Sequence, residues 1–572
     1  MHARPNLHHR RRTRQSGPAG RRPAVAAFLL CLAWVSSLTG QETGPAEPPL
    51  PAITPTRQLR QELREVEQRI RKETGAFSPT RKQEALPAAS SSLRETYVAL
   101  AAVQAAKARD LLDRGVLHRG SVETALEDAK RCLREEDPGE PADVVRHGRI
   151  TENAYFATND MSPQPYFIFA PPSLPEDEKV PLVIFLHGWV PGTSRTNPYL
   201  VSDFVLELAA EHHVLFALAH GRTNTDFQYA GEVDVLRVKA EAETFYNADP
   251  DRVYLLGVSM GGAGAWQIGA HYPDLFAGIA PMNGQADWFR FWNRQFEHPG
   301  RDKLPQHIAY LTAMNNPLDL AGNFMNLYSY SQYATQGFLD PDATRSLLRK
   351  LEEIGAPYDH YEDTSAMGHY TYWQPACWRR AFEHLMPKKR VHAPEKVRYK
   401  TYNLRYPGAY WMDITRIAKW GSPATVTAQR TGPATVKLAT ENVDAVELRL
   451  PDAWQSDERQ WTVTWNGTVK KEKAKGEGTI ALEAPGADLP GDARFLKNRA
   501  VCGPIPDAFN APFIAVRGTA GEKEDTQKLK TLAETFAADW RNYAEGEVRI
   551  VRDRDVTDER IARKNLVLFG LP

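Results

Sequence analysis

The sequence predicts an α/β protein whose middle part is a mainly parallel β-sheet with helices on both faces. Between about residues 146 and 388, short apolar runs alternate with helical patterns, and strands that alternate with helices form parallel sheets. Before this part apolar residues recur at helical spacing, and after it β-branched and aromatic residues alternate. We therefore expect a small helical region first, and a β-rich domain and a short α/β segment last.

The composition is that of a large globular protein. Of the 572 residues, 42% are hydrophobic and 25% are charged, which excludes a mostly disordered chain and a multi-span membrane protein. Seven of the 71 basic residues, all arginines, lie in residues 1–40 with no acidic residue, so the remaining chain has a net charge of −7. A mildly acidic body argues against a nucleic-acid partner, which requires a basic surface. The four cysteines and 16 histidines show no zinc spacing, so we expect no metal and no cofactor.

Residues 1–40 have the pattern of a secretory signal peptide. Arginines cluster in the first 22 residues, an apolar run extends from Ala24 to Leu38, and small residues follow. The apolar run is shorter than the roughly 20 residues that a bilayer span requires. The sequence therefore predicts an exported protein, secreted or periplasmic, with no stable membrane span. An uncleaved N-terminal anchor is the alternative.

Changes in composition divide the rest of the chain into five parts. They are a proline-rich linker (41–56), a helical region (57–145), the α/β domain (146–388), a β-rich accessory domain (389–499) and an α/β C-terminal segment (500–572). The strands predicted in the α/β domain are Tyr166–Phe169, Leu182–Leu186, Val214–Ala219, Val253–Val258, Gly278–Met282, Ile308–Ala313 and Tyr358–Tyr361. In the β-rich domain, Asn466-Gly467 follows an alternating run and predicts a hairpin turn. The chain stops just after a predicted strand, so we expect the C-terminal segment to lack its usual tail.

A serine at the end of a predicted strand is the candidate nucleophile. The strand Val253–Val258 leads directly into Ser259 and then into a helical pattern, with Gly257 and Gly261 two positions away on either side. Small residues are required there because so sharp a turn brings the backbone close to its neighbours. The hydroxyl then projects from the carboxyl end of a central strand, where open α/β sheets bind ligands. A helix-capping serine in a glycine-rich turn is the alternative.

A serine hydroxyl is a weak nucleophile until a base removes its proton. In this arrangement the base is a histidine in a loop late in the fold. His369 follows the predicted strand Tyr358–Tyr361 and is the candidate base. His360 lies inside that strand and is the competing base.

The carboxylate that orients the histidine should follow the preceding strand. Asp319 follows the predicted strand Ile308–Ala313, and the chain order Ser259, Asp319, His369 is the order that this architecture uses. The competing carboxylates are Asp287, Asp340 and Asp363.

Acyl transfer also needs N–H donors that face the developing oxyanion. The first candidate donor is the backbone N–H of Met260, the residue after the nucleophile. The second comes from the loop after the strand Val180–Leu186, where the backbone N–H of Trp189 or Gly188 is the candidate. His187 in the same loop is expected to pack there and to take no part in proton transfer.

Five aromatic residues lie within nine positions after the strand Gly278–Met282. Trp288 and Trp292 belong to this group, and we predict that they form an aromatic wall for an apolar or sugar-linked acyl group. A buried cap helix is the equally weighted alternative.

These motifs resemble the catalytic domain of α/β-hydrolases of the prolyl-oligopeptidase-like and carbohydrate-esterase-like type, which includes feruloyl esterases and polyhydroxybutyrate depolymerases. The matching segments are Leu182–Gly188, Asp249–Gly262, Tyr272–Ala277 and Gly368-His369. The resemblance implies an α/β-hydrolase fold and a Ser/Asp/His hydrolase. Two departures stand out: Asn315-Asn316 replaces the usual His-Gly before the acid, and residues 41–145 are too few for the β-propeller of prolyl oligopeptidases.

We therefore expect an exported serine hydrolase that cleaves carboxylic esters through an acyl-enzyme, with a small-molecule or polymer ester as substrate. A serine peptidase of the prolyl-oligopeptidase family, acting on peptides, is the alternative. A non-catalytic binding protein on a hydrolase scaffold is the second alternative. For the β-rich domain we expect contact with polysaccharide.

Overall fold

The computed structural model describes residues 54–75, 86–114, 119–134, 148–172, 174, 178–454, 460–476, 478–485, 496–499 and 501–570. The predicted signal peptide and residues 41–53 of the predicted linker lie outside the described residues. From Gln58 onward the chain forms one compact unit. Its first part is helical, as predicted, and consists of α1 (Thr54–Thr74), α2 (Leu93–Asp113) and α3 (Arg119–Cys132). Their apolar stripes meet in one cluster that includes Leu63, Val103 and Leu126. None of the described helices is long and apolar enough to cross a membrane.

Residues 148–388, which we call the central domain, are built on an eight-stranded sheet. Its strands are β1 (Ile150–Phe156), β2 (Pro163–Phe169), β3 (Val180–Leu186), β4 (Leu215–Ala219), β5 (Ala248–Val258), β6 (Gly278–Met282), β7 (Tyr328–Ala334) and β8 (Tyr358–Asp363). They lie in the order β1-β2-β4-β3-β5-β6-β7-β8. The pairs β1/β2 and β2/β4 are antiparallel and all others are parallel. The prediction of a mainly parallel sheet is confirmed.

Helices cover both faces of this sheet, because its central strands are apolar on both sides. The helices are α4 (Asp203–Glu211), α5 (Ala230–Phe245), α6 (Met260–His271), α7 (Trp288–Phe296), α8 (Gln306–Met314), α9 (Pro341–Glu353) and α10 (Pro375–Leu385). One face packs Ile184 and Leu255 against Trp266 of α6. The other packs Phe185 and Leu256 against α10. Burial on both faces fixes the carboxyl ends of β3, β5 and β6 side by side, and these ends carry the candidate site.

One predicted strand of the central domain is wrong, and one strand of the structure was not predicted. The run Ile308–Ala313 was predicted as a strand, but it lies in α8, which follows Pro305 and buries only its last turn. A short apolar run does not distinguish a strand from a helix. The strand β7 was not predicted, because it buries polar side chains, among them Ser329, Ser331 and Gln332.

The β-rich region after residue 395 contains two sheets that share one apolar core. Its strands are β9 (Lys396–Thr401), β10 (Gly408–Ala409), β11 (Met412–Ile417), β12 (Ala424–Gly432), β13 (Thr435–Glu441), β14 (Val443–Arg449), β15 (Gln460–Trp465), β16 (Thr468–Lys473) and β17 (Thr479–Glu483). The sheet orders are β10-β11-β14-β17 and β16-β15-β13-β12-β9. Trp411, Trp461 and Trp465 are buried in the core. The predicted hairpin turn is confirmed, with Asn466 at φ 45° and Gly467 at φ 90°.

Residues 501–570, which we call the C-terminal segment, form a three-stranded parallel sheet with two helices. The elements are β18 (Phe513–Arg517), α11 (Lys523–Ala544), β19 (Ile550–Arg552), α12 (Asp558–Arg563) and β20 (Asn565–Phe569). The strand order is β19-β18-β20. Phe513 and Trp540 of this segment pack with Ala230 of the central domain, so the segment is docked on it.

Candidate active site

Ser259 lies on a strained turn between β5 and α6. Its backbone has φ 54° and ψ −116°, a conformation that L-residues rarely adopt. The turn is held because Ser259 N–H donates to the carbonyl of Met282 (2.8 Å). Ser259 as a residue is partly exposed.

The glycines around Ser259 are required by the close approach of backbone segments. A Cβ on Gly257 would lie 2.1 Å from the carbonyl oxygen of Gly261. A Cβ on Gly261 would lie 2.0 Å from the carbonyl oxygen of Leu186 at the end of β3. Both distances are far below van der Waals contact, so the small residues predicted at these two positions are those that the turn can accommodate.

His369 lies against Ser259, and its Nε2 is 2.9 Å from Ser259 Oγ. His369 belongs to the 3₁₀ turn Gly368–Trp373 that follows β8 and is buried. Burial lowers the pKa of the His369 imidazole from its usual 6.5 to about 4, so the ring is neutral at neutral pH and able to accept a proton. The two side chains predicted as nucleophile and base are thus within hydrogen-bonding distance. His360 lies within β8, exposed, with its ring beside Tyr333.

The prediction that Asp319 orients His369 is wrong. Both carboxylate oxygens of Asp319 accept from Arg301 Nη1 (2.8 and 2.9 Å), and one also accepts from Asn316. The error follows from the misassigned strand: Asp319 comes after helix α8 and not at the end of a strand. Nδ1 of His369 is buried without a hydrogen-bond partner among the described residues.

The three competing carboxylates are also held elsewhere. Asp287 accepts from the Phe289 N–H (3.1 Å) as the N-cap of α7, and Asp363 accepts from the Ser365 N–H (2.7 Å). Asp340 occupies the position after β7. It caps α9 by accepting from the Asp342 N–H (3.0 Å) and pairs with Arg290 Nη1 (2.9 Å). Among the described residues, therefore, Nε2 of His369 faces the Ser259 hydroxyl, and no carboxylate is bonded to Nδ1.

The loop after β3 comes close to the nucleophile, as predicted for an oxyanion donor. A Cβ on Gly188 would lie 3.5 Å from Ser259 Cβ. Met260 begins α6, and the first N–H groups of a helix have no partner within the helix. Trp189 N–H donates no hydrogen bond within the described residues. Gly188 thus lies close to Ser259 and Met260 follows it directly, and the role of Gly188, Trp189 and Met260 as donors stays a prediction.

His187 is a packing residue of that loop. It is buried, and its Nδ1 and Nε2 lie 2.8 and 3.1 Å from the carbonyl oxygens of Gly188 and His220. Burial lowers the pKa of His187 to about 4. The ring is therefore neutral and stacks on Tyr199.

The two tryptophans predicted to bind substrate differ in their surroundings. Trp288 is only 3% exposed, and its indole N–H donates to the carbonyl of Asn315 (3.1 Å), so its predicted role in the wall of the site is wrong. It packs inside, as in the alternative of a cap helix. Trp292 is partly exposed, with its ring 6.0 Å from that of Trp288; its contact with substrate stays a prediction.

Four exposed aromatic residues lie on the loops that carry the site residues, and sequence reasoning missed three of them and the side chain of Trp189. Trp189, Phe338, Tyr370 and Trp373 are 57, 41, 36 and 60% exposed, and we call them the aromatic rim. The Phe338 ring centroid is 4.2 Å from that of His369. Phe338 is in the loop after β7, in the stretch Gln336-Gly337-Phe338-Leu339-Asp340. The sequence signal available for this loop was Gly337, which lies three positions before Asp340.

Asn283, also missed, ties the histidine turn to the sheet. Its Nδ2 donates to the carbonyl of His369 (2.8 Å) and to Thr371 Oγ1 (3.0 Å), and its Oδ1 accepts from Ala334 N–H (2.7 Å). Asn283 is 4% exposed and directly follows β6. It therefore links the ends of β6 and β7 to the candidate base. Within the described part of the chain, no group of three or more His, Cys, Asp or Glu side chains could hold a metal ion.

Residues 183–391 match the model of the family described as the alpha/beta hydrolase family. This region has the α/β-hydrolase fold. Poly(3-hydroxyalkanoate) depolymerase C of Paucimonas lemoignei is 29% identical over 148 residues, which are 24% of this chain and 34% of that protein. The chain thus spans about a third of the length of this curated relative.

Solved structures with a similar central domain include a serine hydrolase and a peptidase. FphF, a fluorophosphonate-binding serine hydrolase of Staphylococcus aureus, is 14% identical, with a TM-score of 0.33 and coverage of 42% of this chain and 98% of its own. An acylaminoacyl peptidase is 16% identical, with a TM-score of 0.36 and coverage of 43% of each chain. A ferulic acid esterase is 17% identical, with a TM-score of 0.31 and coverage of 42% and 96%. The family match supports hydrolysis as the class of reaction.

Proposed function

We propose that the protein is a serine hydrolase that cleaves carboxylic esters through an acyl-enzyme on Ser259. The observation that carries this proposal is the 2.9 Å contact between a neutral, buried His369 and a serine on a strained turn. Such a pair is the minimum that nucleophilic catalysis by a serine requires. The donors around the hydroxyl and the family match support the same conclusion.

In the proposed reaction, Ser259 Oγ attacks the ester carbonyl carbon while His369 Nε2 takes the hydroxyl proton. The carbonyl oxygen becomes an oxyanion, which accepts from the N–H groups of Met260 and Trp189. His369 then gives the proton to the leaving alkoxide, and the C–O bond breaks. Water then attacks the carbonyl carbon of the acyl-enzyme while His369 Nε2 takes a proton from the water. His369 gives this proton to Ser259 Oγ as the bond to the serine breaks and the acid product leaves.

The pair works without a bonded carboxylate in this proposal. In serine hydrolases with a full triad the aspartate stabilises the imidazolium, and its replacement by asparagine costs about 10⁴ in kcat. Without a bonded carboxylate, the imidazolium that forms on His369 during the attack is less stable, so the barrier to attack is higher. Substrates with good leaving groups, whose carbonyl is more reactive, are therefore favoured. Esters have better leaving groups than amides, so we favour ester hydrolysis over peptide hydrolysis as the activity.

The aromatic rim supports an apolar substrate. Its four side chains lie on the loops that carry Gly188 and His369 and on the loop after β7, and the rings of Phe338 and Tyr370 pack against that of His369. Exposed aromatic side chains of this kind mark ligand surfaces. A relative whose name is that of a poly(3-hydroxyalkanoate) depolymerase is consistent with a polymer ester as substrate.

Labelling with a fluorophosphonate probe tests the nucleophile. The parent protein is expected to react, and Ser259→Ala is expected to lose labelling and at least about 10³-fold in kcat on p-nitrophenyl butyrate. Ser346→Ala is the matched control, because this serine lies on α9 and, among the described residues, its hydroxyl is hydrogen-bonded to Arg349 alone. Equal labelling of Ser259→Ala and Ser346→Ala rejects the proposal.

Matched substrates test the bond that is cleaved. p-Nitrophenyl esters and p-nitroanilides with the same acyl group differ only in the leaving atom. We expect a higher kcat/KM on the esters relative to the uncatalysed rates. A preference for the anilides, or for prolyl-peptide amides, would instead assign the peptidase.

We further propose that the protein is exported and that its β-rich region contacts polysaccharide. The first proposal rests on the basic and apolar pattern of residues 1–40. It is tested by cell fractionation with mass spectrometry of the mature N-terminus. The second is tested by pull-down on insoluble polysaccharides with the full chain, and retention of no polysaccharide rejects it.

A further inference from the structure

The C-terminal segment is joined to the central domain by a buried polar network. Arg222, fully buried, donates to Asp160 (2.9 Å) and Asp234 (2.8 Å) of the central domain and to the carbonyl of Ala544 at the end of α11 (3.1 Å). Trp540 of α11 donates to the same Asp160 carboxylate (2.7 Å). Buried charges that are fully paired hold their surroundings in one geometry, because any shift leaves a charge unpaired.

The next residue, Glu545, extends from this network toward the candidate active site. It ends α11 in a left-handed conformation with φ 45°, and its side chain is 15% exposed. Its Oε2 lies 2.8 Å from Nε2 of His220 and 2.5 Å from the backbone nitrogen of Arg195. One carboxylate oxygen of the C-terminal segment therefore holds two loops of the central domain.

Both loops belong to the wall of the site beside Ser259. Arg195 lies in the loop after β3 that carries Gly188 and Trp189, and His220 directly follows β4. The carbonyl oxygen of His220 is 3.1 Å from His187 Nε2, and His187 Nδ1 is 2.8 Å from the carbonyl oxygen of Gly188. A neutral imidazole has one N–H and donates to one of these carbonyls at a time; the Gly188 contact is the shorter.

The carbonyl of Gly188 and the N–H of Trp189 are parts of one planar peptide group and point in opposite directions. Whatever fixes the carbonyl therefore also fixes the direction of the N–H. Trp189 N–H has no partner within the described residues and is one of the proposed oxyanion donors. The following residue is clamped too, because Val190 exchanges hydrogen bonds with the Asn224 side chain (3.1 and 2.9 Å).

We propose that Glu545 is a positioning residue for this reaction: it anchors the oxyanion loop, 187–202, from outside the central domain. It acts directly through the Arg195 backbone, which belongs to this loop. It also holds His220, whose ring packs against that of His187 at the start of the loop. The C-terminal segment is then a working part of the catalytic unit. This inference rests on the proposed function of Ser259.

The experiment uses the full chain with Glu545→Ala and the conservative Glu545→Gln. Misplacing an oxyanion donor lowers kcat by a part of the 10²–10³ that its removal costs, so we expect about a 10–100-fold fall in kcat for Glu545→Ala. KM should change less than about threefold, because substrate binding in the ground state does not depend on these donors. Glu545→Gln keeps one acceptor oxygen and should recover part of kcat.

A second measurement separates positioning from general stability. Affinity for a trifluoromethyl ketone, which forms a hemiketal oxyanion on the serine, should fall in parallel with kcat/KM. Glu547→Ala is the matched control, because that carboxylate lies two residues away and is 57% exposed. Within the described part of the chain its one ion pair is with the Arg195 guanidinium, at 3.4 Å. It should leave kcat and ketone affinity within about twofold of the parent.

Two results would overturn the inference. One is unchanged kcat in Glu545→Ala. The other is equal loss of substrate and ketone affinity together with a lower melting temperature, which indicates a purely structural contact. Ser259→Ala, assayed alongside, separates this failure from that of the proposed function: an inactive Ser259→Ala with a fully active Glu545→Ala rejects only the role of Glu545.

Discussion

The pH dependence of ester hydrolysis tests whether His369 works without a carboxylate partner. Burial alone lowers the pKa of this imidazole from 6.5 to about 4, whereas a bonded carboxylate would raise it. The base must be neutral, so kcat/KM should be constant above about pH 5 and should fall about tenfold per pH unit below the pKa near 4. If an aspartate pairs with the His369 ring, the midpoint of the fall in kcat/KM is expected near pH 6.5.

The same shift affects stability. A histidine whose folded pKa is lowered binds its proton more readily in the unfolded chain, so the stabilisation is complete above pH 6.5 and is lost as the pH falls toward 4. A shift from 6.5 to about 4 corresponds to about 3 kcal/mol for this side chain. Urea unfolding at pH 7 and pH 4.5 should show this decrease, and His369→Gln should reduce it.

The assay is kcat/KM on p-nitrophenyl butyrate from pH 3.5 to 8, corrected for spontaneous hydrolysis and for activity lost on preincubation. The rate of inactivation by a fluorophosphonate across the same range reports the free enzyme. Asp340→Asn is the companion variant, since asparagine keeps the N-cap of α9. It should retain kcat/KM within about threefold, against the 10⁴-fold loss of a triad aspartate. A midpoint near 6.5 that Asp340→Asn abolishes would refute the reasoning and identify Asp340 as the acid.

Two further substitutions test the supports of the site. Arg222→Met leaves the buried carboxylates of Asp160 and Asp234 unpaired and should lower the free energy of unfolding by about 3–5 kcal/mol; urea titration checks this, and addition of Asp160→Asn should restore part of the loss. Asn283→Ala removes the bonds that join the His369 carbonyl to Ala334 and should lower kcat about tenfold; stopped-flow acylation measures it, and an unchanged acylation rate speaks against this role.

The contact between Ser259 and His369 was predictable because local rules place both residues. Gly257, Ser259 and Gly261 stand at fixed spacing around a strand end, and their crowding against Leu186 is a property of the turn itself. His369 follows the predicted strand Tyr358–Tyr361, which the structure contains as part of β8. The sheet followed from the alternation of strands and helices, and its mainly parallel character is confirmed by the pairing.

The acid was mispredicted because β7 carries no apolar signal. Ser329, Ser331 and Gln332 are buried, and the Gln332 side chain donates to the Cys377 carbonyl of α10, the helix that covers this face. Sequence reasoning expects such residues at the surface and therefore moved the strand to Ile308–Ala313. The prediction for Trp288 was wrong for the opposite reason. An aromatic cluster near a site suggests a ligand surface, but tertiary packing decides whether each side chain of the cluster is exposed or buried.

The bond between Arg222 and the carbonyl of Ala544 spans 322 positions of the chain. On the ribosome, Arg222 and its two carboxylates are therefore synthesised long before Ala544 and Trp540, which complete the network. Because a nascent chain folds from its N-terminal part onward, this contact is among the last to form. Until the end of α11 has emerged, the guanidinium lacks one of its partners.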